Sequence, residues 1–399
     1  MIRVAAISDS HFDERGDLLD VVQTHAGFVE QAVDAGVDLV VHAGDWFDRE
    51  SSPTERLALA DWLGQVSEHF TVVGVKGNHD SLRDLGIFGR IRGRHPITIF
   101  ERPAPGGFEV ARVEVGCTKR TLATILPLPW FDKAPVAATM DGTQDQAATR
   151  LATIEQARLL LTSYSAASAR AHAAGQPVIL LAHVMVQASR VANGQVLMGH
   201  SVELSPGDLR LSGADYCAVG HVHQHQAWEA VGAAPVVYSG SPTRHDHGEP
   251  EAKGWILVTF DGPRLVSWEF RKLPARELYH VEIDATQPEV LLALKERRVE
   301  QFIDPRAAAG ARVRVRYKIA AEDLALVDEE LLWRVVANVK AYEIKIERQA
   351  QATTVARAVA VEVSTQESLG DKVKAYLNHK SLGDRWERLA PHLAELENS

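Results

Sequence analysis

The chain has 399 residues, of which 46% are hydrophobic and 24% are charged, and its formal net charge is −10 at pH 7. This length exceeds what one core normally serves, so two domains are expected, and the acidity argues against an extended basic surface for nucleic acid. No stretch approaches the roughly 20 apolar residues of a membrane span, and two distant cysteines give no disulfide framework or zinc-ribbon spacing, so a reducing cytoplasm is the expected compartment.

The amino-terminal part alternates short apolar runs with helical patterns. Ile2 to Ser8 is predicted as a strand, because it is short and lacks the basic leader of a signal peptide. A 3.6-residue apolar period predicts a helix over Leu18 to Ala35, and a proline in the first turn opens another over Pro53 to Val66. With strands at Leu39 to Ala43 and Phe70 to Gly74, the order is βαβαβ, which predicts a parallel sheet with right-handed crossovers.

The next part changes to short β-rich segments. Ile97 to Leu128, with its Pro- and Gly-rich turn, is predicted to form hairpins on a second sheet. A long helical stretch over Gln146 to Ala174 follows, and Pro177 to Ala182 returns to the sheet. After a strand that ends at His221, a hairpin around Asp261-Gly262-Pro263 closes the first domain.

The remainder is predicted to be a separate unit. Strand patterns at Leu278 to Ile283, Ala311 to Ile319 and Tyr342 to Glu347 alternate with helical patterns at Pro288 to Gln301 and Glu322 to Ala341. This order predicts a small open-faced α+β cap, and apolar residues at helical spacing predict a helical tail. The predicted division is therefore 1–273 for the first domain, 274–348 for the cap, 349–365 for a linker and 366–399 for the tail.

Polar side chains follow the ends of five predicted strands. Because α/β folds gather functional groups at the carboxyl ends of their strands, we expect these residues to form one site. Carboxylate and imidazole groups without nearby cysteine suit manganese, iron or zinc. Two ions that share a carboxylate would lie about 3.5 to 4 Å apart, a spacing used to hydrolyse phosphoesters. The residues are Asp9, His11, Asp45, Asn78, His79, Asp80, His183, His221 and His223.

These motifs, in this order and spacing, resemble those of the calcineurin-like metallophosphoesterase superfamily. They are Asp9-x-His11, Gly44-Asp45, Gly77-Asn78-His79-Asp80, His183 and Gly220-His221-x-His223. The segments Leu126 to Trp130, Gly213 to His221 and Tyr238 to Pro242, together with the cap and tail, are further similar to SbcD-type DNA repair exonucleases.

The resemblance implies a fold and an activity. The fold would be an α/β four-layer metallophosphoesterase sandwich, with two central mixed β-sheets flanked by helices. The activity would be that of a manganese-dependent 3′-to-5′ exonuclease that also cuts single strands and hairpins, acting on DNA ends within an SbcC/SbcD-like repair complex. The tail would dock on an SbcC-like SMC-type ABC ATPase, the nuclease would form a homodimer, and the complex would be cytoplasmic and associated with the nucleoid.

The resemblance also implies roles for individual residues. His79 would be the catalytic histidine that protonates the leaving oxygen, and Asp80 and Asp48 would orient it or make contacts behind the ligands. Asp48 stands where some relatives place histidine. One ion would be held by Asp9, His11, Asp45 and His223, and the other by Asp45 (bridging), Asn78, His183 and His221.

Two other functions stay open at this point. A phosphodiesterase or phosphatase for small nucleotides is favoured by the acidic composition. A DNA-tethering protein with a decayed site is disfavoured by the complete ligand set. Two basic segments are candidate DNA contacts: Arg83, Arg90, Arg92, Arg94 and His95; and Arg312, Arg314, Arg316 and Lys318.

Six further histidines fall into three groups. His42 lies inside a predicted strand, and we expect it to be packed rather than to bind a metal. His245 and His247 follow the Ser239 to Pro242 turn and are candidates to approach the site. Surface positions are expected for the histidines of helical or surface segments, which are His25, His69 and His172.

Overall fold

A computed structural model describes residues 1–82, 84–113, 119–130, 146–190, 203–351, 368–379, 385–386 and 389–390. The chain divides into two compact units, Met1–Arg276 and Glu277–Ser399. The finer division of the second unit into cap, linker and tail stays a prediction, because most of the linker lies outside the described residues. None of the described helices is both long and apolar enough to cross a membrane.

The first sheet of the first unit has six strands and carries two helices. The elements are β1 (Ile2–Ile7), α1 (Leu18–Asp34), β2 (Leu39–His42), α2 (Pro53–His69), β3 (Thr71–Val75), β4 (Ile97–Phe100), β13 (Gly254–Asp261) and β14 (Arg264–Lys272). The strand order is β14-β13-β1-β2-β3-β4. Strands β1 to β4 are mutually parallel, and β13 and β14 add an antiparallel edge. Helix α2 begins behind a capping box, in which Ser52 and Glu55 satisfy each other's backbone N–H groups.

The second sheet of this unit also has six strands. The elements of this part are β5 (Phe108–Val113), β6 (Lys119–Leu128), α3 (Gln146–Ser163), α4 (Ser165–Ala173), β7 (Val178–His183), β8 (Met185–Val186), β9 (Glu203–Leu204), α5 (Pro206–Arg210), β10 (Tyr216–Gly220), β11 (Gln226–Ala230) and β12 (Ala233–Tyr238). The strand order is β11-β12-β10-β7-β6-β5, and β6, β7, β10 and β12 are parallel. The short parallel pair of β8 and β9 lies outside this sheet.

Three buried apolar clusters separate four layers. One cluster joins α1 and α2 to the first sheet and contains Phe28 and Trp62. Another lies between the two sheets and joins residues such as Val41 and Ile179. A third joins the second sheet to α3 and α4 and includes Tyr164. The predicted four-layer α/β sandwich with two mixed sheets is therefore confirmed.

One assignment of strands to sheets was wrong. Ile97 to Leu128 was expected to lie wholly on the second sheet, but Ile97–Phe100 pairs in parallel with β3 on the first. Only β5 and β6 form the expected hairpin on the second sheet. The outer edge of β3 can pair with a further parallel strand, and Ile97–Phe100 occupies it. A hairpin pattern in the local sequence does not predict which sheet edge a strand will join.

The second unit contains a three-stranded parallel sheet. Its elements are β15 (Leu278–Asp284), α6 (Pro288–Lys295), α7 (Pro305–Ala308), β16 (Arg312–Ala320), α8 (Glu329–Asn338), β17 (Glu343–Gln351) and α9 (Leu369–His379). The strand order is β15-β16-β17. Val313, Val315, Tyr317 and Ile319 alternate on the face that packs in the apolar core of this unit. Strand β17 runs to Gln351, three residues past the predicted end of the cap.

Candidate metal centre

The loops that follow β1, β2 and β10 have an uncommon backbone conformation. Asp9, His11, Asp45 and His221 have positive φ angles of 54°, 43°, 55° and 118°. Residues with a Cβ rarely adopt this conformation, and it is concentrated at functional sites. Hydrogen bonds from Asp9 N to Gly44 O (2.9 Å) and from His11 N to Asp45 O (3.1 Å) join the first two loops. The strain is therefore held in place by paired backbone groups.

Two glycines of the motifs allow these loops to approach each other. A Cβ at Gly77 would lie 2.0 Å from Asp45 Oδ1, and a Cβ at Gly44 would lie 2.5 Å from His183 Nδ1. Both distances are far below van der Waals contact, so only glycine fits. The carboxylate and the imidazole can occupy these places because the glycines leave them free.

Asp80 binds the backbone of the two loops that surround it. Its Oδ1 accepts hydrogen bonds from Trp46 N (2.9 Å) and Phe47 N (3.0 Å), and its Oδ2 accepts from Asp45 N (3.0 Å) and Gly77 N (2.8 Å). Burial and the neighbouring Asp45 raise the pKa of Asp80 to about 7, although the N–H donors favour its ionised form. The carboxylate therefore fixes the loops, and its predicted catalytic role stays a prediction.

One group of candidate metal ligands consists of Asp9, His11 and His223. One donor atom of each residue lies within 4.8 Å of the donor atoms of the other two. His11 Nε2 lies 3.1 Å from His223 Nε2, and Asp9 Oδ1 accepts a hydrogen bond from His221 N at 2.9 Å. Burial and the neighbouring His245 lower the pKa of His11, which keeps its imidazole neutral and able to offer a lone pair. This group contains three of the four residues predicted for the first ion.

Asp45, His183 and His221 form a second group of the same size. Asn78 Oδ1 lies 2.9 Å from His183 Nε2 and 2.7 Å from His221 Nδ1. His183 Nδ1 donates to Ala43 O at 2.7 Å, and this bond directs Nε2 into the site. The four residues predicted for the second ion therefore lie together.

Asp45 belongs to the second group and also lies close to the first. Its Oδ2 is 3.3 Å from His183 Nε2 and 3.9 Å from His11 Nε2. Burial opposes its ionisation, but the neighbouring His183 and His11 outweigh burial and lower the pKa of Asp45. The same attraction outweighs the burial of His183 and raises its pKa to about 9. Carboxylate, amide and imidazole donors in this arrangement fit two divalent cations, whose identity the donors leave open.

His79 lies at the exposed rim of the centre, and 42% of its side chain is accessible. Its Nδ1 donates to Asp48 O at 2.6 Å, and the Asp48 carboxylate lies 3.7 Å from the same nitrogen. The His79 and His11 ring centroids are 5.2 Å apart. His79, Asp48 and His11 also form a third group of close donors. Asp48 therefore lies beside His79, and its role in orienting that histidine stays a prediction.

Several neighbours of the centre were not identified from the sequence. Glu249 accepts from His223 Nδ1 at 2.7 Å, and the buried Lys253 pairs with Glu249 at 2.8 Å. His245 was only a candidate to approach, and its ring lies 4.9 Å from that of His11 and 5.1 Å from that of His223. No local sequence signal links Glu249 to His223, because 26 residues separate them.

A buried chain of hydrogen bonds lies behind the first two loops. His25 Nδ1 donates to Val21 O (2.7 Å), so Ser10 Oγ donates to His25 Nε2 (2.7 Å) and accepts from His42 Nε2 (2.8 Å). His42 also stacks on Trp46 at 3.6 Å, so the expectation that it is packed is confirmed. The surface position expected for His25 was wrong. Its spacing from Val21 and Phe28 places it on the buried face of α1, and this was the signal.

The end of the basic segment, Arg92 to His95, lies away from the centre. His95 N donates to Ser67 O near the end of α2, and Pro96 O accepts from Val72 N at the start of β3. The centre lies at the opposite, carboxyl edge of this parallel sheet. Arg92 and Arg94 are therefore exposed at the wrong edge for a direct contact with a substrate at the metals. Arg83 lies outside the described residues.

Comparisons with known proteins agree with the geometry of this centre. Residues 2–225 match a family model described as calcineurin-like phosphoesterase. A protein of Methanopyrus kandleri named DNA double-strand break repair protein Mre11 is 26% identical over 321 residues, or 74% of this chain. The match spans 63% of that relative, so the chain covers less than two thirds of its length.

Two solved structures are similar at low identity. The protein TT1561 of Thermus thermophilus is 14% identical, with a TM-score of 0.37 over 67% of this chain and 98% of that one. A dimetal phosphatase from Danio rerio is 13% identical, with a TM-score of 0.40 over 68% and 96% of the two chains.

Proposed function

The chain belongs to the calcineurin-like phosphoesterase family, and we propose that it is a two-metal DNA nuclease, the nuclease subunit of an SbcC/SbcD-like repair complex. Its general chemistry is that of a metal-dependent phosphoesterase. The proposed activity is 3′-to-5′ exonuclease and single-strand or hairpin endonuclease, with Mn²⁺ as the proposed metal.

One observation carries the chemical part of the proposal. Strand ends from both sheets bring together two donor groups, Asp9–His11–His223 and Asp45–His183–His221, and the Asp45 carboxylate lies close to histidines of both. Divalent cations held there would polarise a phosphoryl group and activate water for in-line displacement. An exposed histidine at the rim then suits the leaving-group side of such a reaction.

His79 is proposed to supply the proton. Asp48 O is an acceptor only, so His79 Nδ1 carries a hydrogen and Nε2 is left for the substrate. The Asp48 carboxylate, 3.7 Å from Nδ1, would attract a positive charge on the ring as a proton arrives. In its charged form His79 can donate from Nε2 to the leaving oxygen, while the bond to Asp48 O fixes the ring.

The likeness to a repair protein supports DNA as the substrate. The match covers 74% of the 399 residues, which is more residues than the 276 of the first unit. The likeness therefore extends into the second unit.

A phosphodiesterase or phosphatase for small nucleotides is the second candidate, and two observations favour it. The net charge is −10. Two of the four basic residues of β16 are also paired within their own sheet, since Arg316 lies 3.0 Å from Glu347 and 3.5 Å from Glu282, and Arg312 lies 3.3 Å from Glu343. Paired arginines offer less positive potential to a phosphate backbone.

A comparison of substrates tests the proposal. The chain is assayed with Mn²⁺ on end-labelled single-stranded DNA, blunt duplex, a hairpin and bis(p-nitrophenyl) phosphate. We expect hydrolysis of the small ester together with release of nucleotides from 3′ ends. Cleavage of the small ester alone would favour the second candidate, and cleavage of nothing by the Mn²⁺-loaded chain would refute both.

The proposed partners are DNA ends, a second copy of the chain and an SbcC-like SMC-type ABC ATPase. Helix α9 supports a docking role for 366–399, because Tyr376 on this amphipathic helix is half exposed. Deleting 366–399 should spare cleavage of the small ester and abolish co-purification with such an ATPase. Retained co-purification would refute docking through the tail.

A further inference from the structure

Behind the metal centre lies a buried charged cluster that the proposed chemistry does not use. It consists of Glu249, Glu251 and Lys253, which follow the turn after β12. The side chain of Lys253 is inaccessible to solvent, and that of Glu249 is 5% accessible. Buried charges are costly unless they are paired and hydrogen-bonded.

Lys253 satisfies this condition with oxygen atoms on several sides. Its Nζ lies 2.8 Å from Glu249 Oε2, 2.7 Å from Glu251 Oε1 and 2.9 Å from Ser241 Oγ. Removing Lys253 alone would leave two carboxylates without a cation, and breaking a buried pair in this way is strongly destabilising. The lysine therefore holds the Glu249 carboxylate in one orientation.

Glu249 in turn holds two histidines. Its Oε1 accepts from His223 Nδ1 at 2.7 Å, and its Oε2 accepts from His245 N at 2.9 Å. Because a carboxylate only accepts here, Nδ1 of His223 carries the hydrogen and Nε2 presents its lone pair toward Asp9 and His11. The cluster thus sets both the ring angle and the tautomer of His223.

The other donor group is oriented differently. His183 Nδ1 donates to the backbone carbonyl of Ala43 at 2.7 Å, and no described contact joins His183 to Glu249 or Lys253. A change in the charged cluster should therefore alter the orientation of His223 in the first donor group and leave that of His183 in the second group unchanged.

We propose that Glu249, held by Lys253, is a positioning residue for His223, and that it sets the affinity of the Asp9–His11–His223 group for its cation without setting that of the Asp45–His183–His221 group. This inference rests on the proposed two-metal function and extends it. Replacing carboxylates that orient ligating histidines typically lowers metal affinity about 10- to 100-fold.

The test compares Glu249→Gln with Glu251→Gln. Both variants remove one carboxylate from Lys253, but Glu251 does not contact His223, so it is a matched control. Mn²⁺ binding is measured by titration calorimetry, and electron paramagnetic resonance reports whether two ions are magnetically coupled. We expect two ions and a coupled signal in the wild type and the control. In Glu249→Gln, one site should weaken about 10- to 100-fold and the signal should become that of a single ion.

Unchanged affinities in Glu249→Gln would overturn the inference, as would equal weakening of both sites. If this variant does not fold, ¹⁵N spectra of the metal-free wild type decide instead, recorded at a pH at which the His223 ring is neutral: a hydrogen on Nδ1 supports the inference, and a hydrogen on Nε2 overturns it. These readouts do not depend on the substrate. A wild type that binds two ions but leaves DNA intact would refute the nuclease while this test still stands.

Discussion

Asp80 gives the sharpest test of how the site is held together. Its two oxygens accept four backbone N–H groups from the loops that carry Asp45 and Asn78. Asn in place of Asp keeps one oxygen and turns an NH₂ group toward two N–H donors, whereas Ala leaves all four donors without an acceptor. The two substitutions should therefore destabilise the protein in that order.

The magnitude follows from the count of donors. A buried N–H without an acceptor costs about 1 to 3 kcal/mol. At the lower limit, Asp80→Asn loses about 2 kcal/mol and Asp80→Ala about 4 kcal/mol of unfolding free energy. The whole stability of a domain is about 5 to 15 kcal/mol, so both losses are large.

Urea unfolding of metal-free protein, followed by tryptophan fluorescence, measures these losses. Asp61→Asn is the control, because Asp61 is exposed on α2 and should change stability by less than about 0.5 kcal/mol. If Asp80→Asn unfolds like the control, or if Asp80→Ala is no worse than Asp80→Asn, the reasoning is refuted. An Asp80 that acted only through His79 would leave unfolding unchanged and lower only the rate of hydrolysis.

Two further predictions concern histidines. His79→Ala should lower the rate of hydrolysis about 10²- to 10⁴-fold while two Mn²⁺ ions still bind. The control is His69→Ala, because His69 is exposed. Undiminished cleavage by His79→Ala would show that His79 does not supply the proton. Burial lowers the pKa of His25 to about 4 from 6.5, so the unfolded chain binds this proton first as pH falls. Between pH 6.5 and 4 the folded state should lose about 3 kcal/mol through this group. His25→Asn should make that loss smaller in urea unfolding at about pH 7, 5.5 and 4.5, and equal losses in the two proteins would contradict the assignment.

The motif residues of the candidate site could be predicted because each follows a local pattern. An apolar run that ends in Asp, Asn or His marks the carboxyl end of a strand, and parallel strands bring such ends to one edge. His25 could also have been found, because it shares the helical spacing of Val21 and Phe28. Histidine as a residue type favoured an exposed position, whereas the helical periodicity correctly indicates the buried face of α1.

The remaining features depend on contacts between distant parts of the chain. The pairing of Arg316 with Glu282 and Glu347 follows from the register of three strands, which the spacing along β16 does not contain. Arg92 and Arg94 follow Gly77–Asp80 in sequence, but they directly precede His95 and Pro96, which lie at the amino edge of the sheet. Closeness in sequence to Gly77–Asp80 therefore does not place these arginines beside the metal centre.

The sequence by itself determined the βαβ order of the first sheet, the donor residues of the metal centre and the family, because periodicity and strand-end motifs are local. Only the tertiary structure decided which sheet takes Ile97–Phe100, that Asp80 binds the loop backbone, and that Glu249 stands behind His223. The physical reason is that a buried polar group takes its partner from whatever the packing brings within about 3 Å, and packing joins residues that are far apart in sequence.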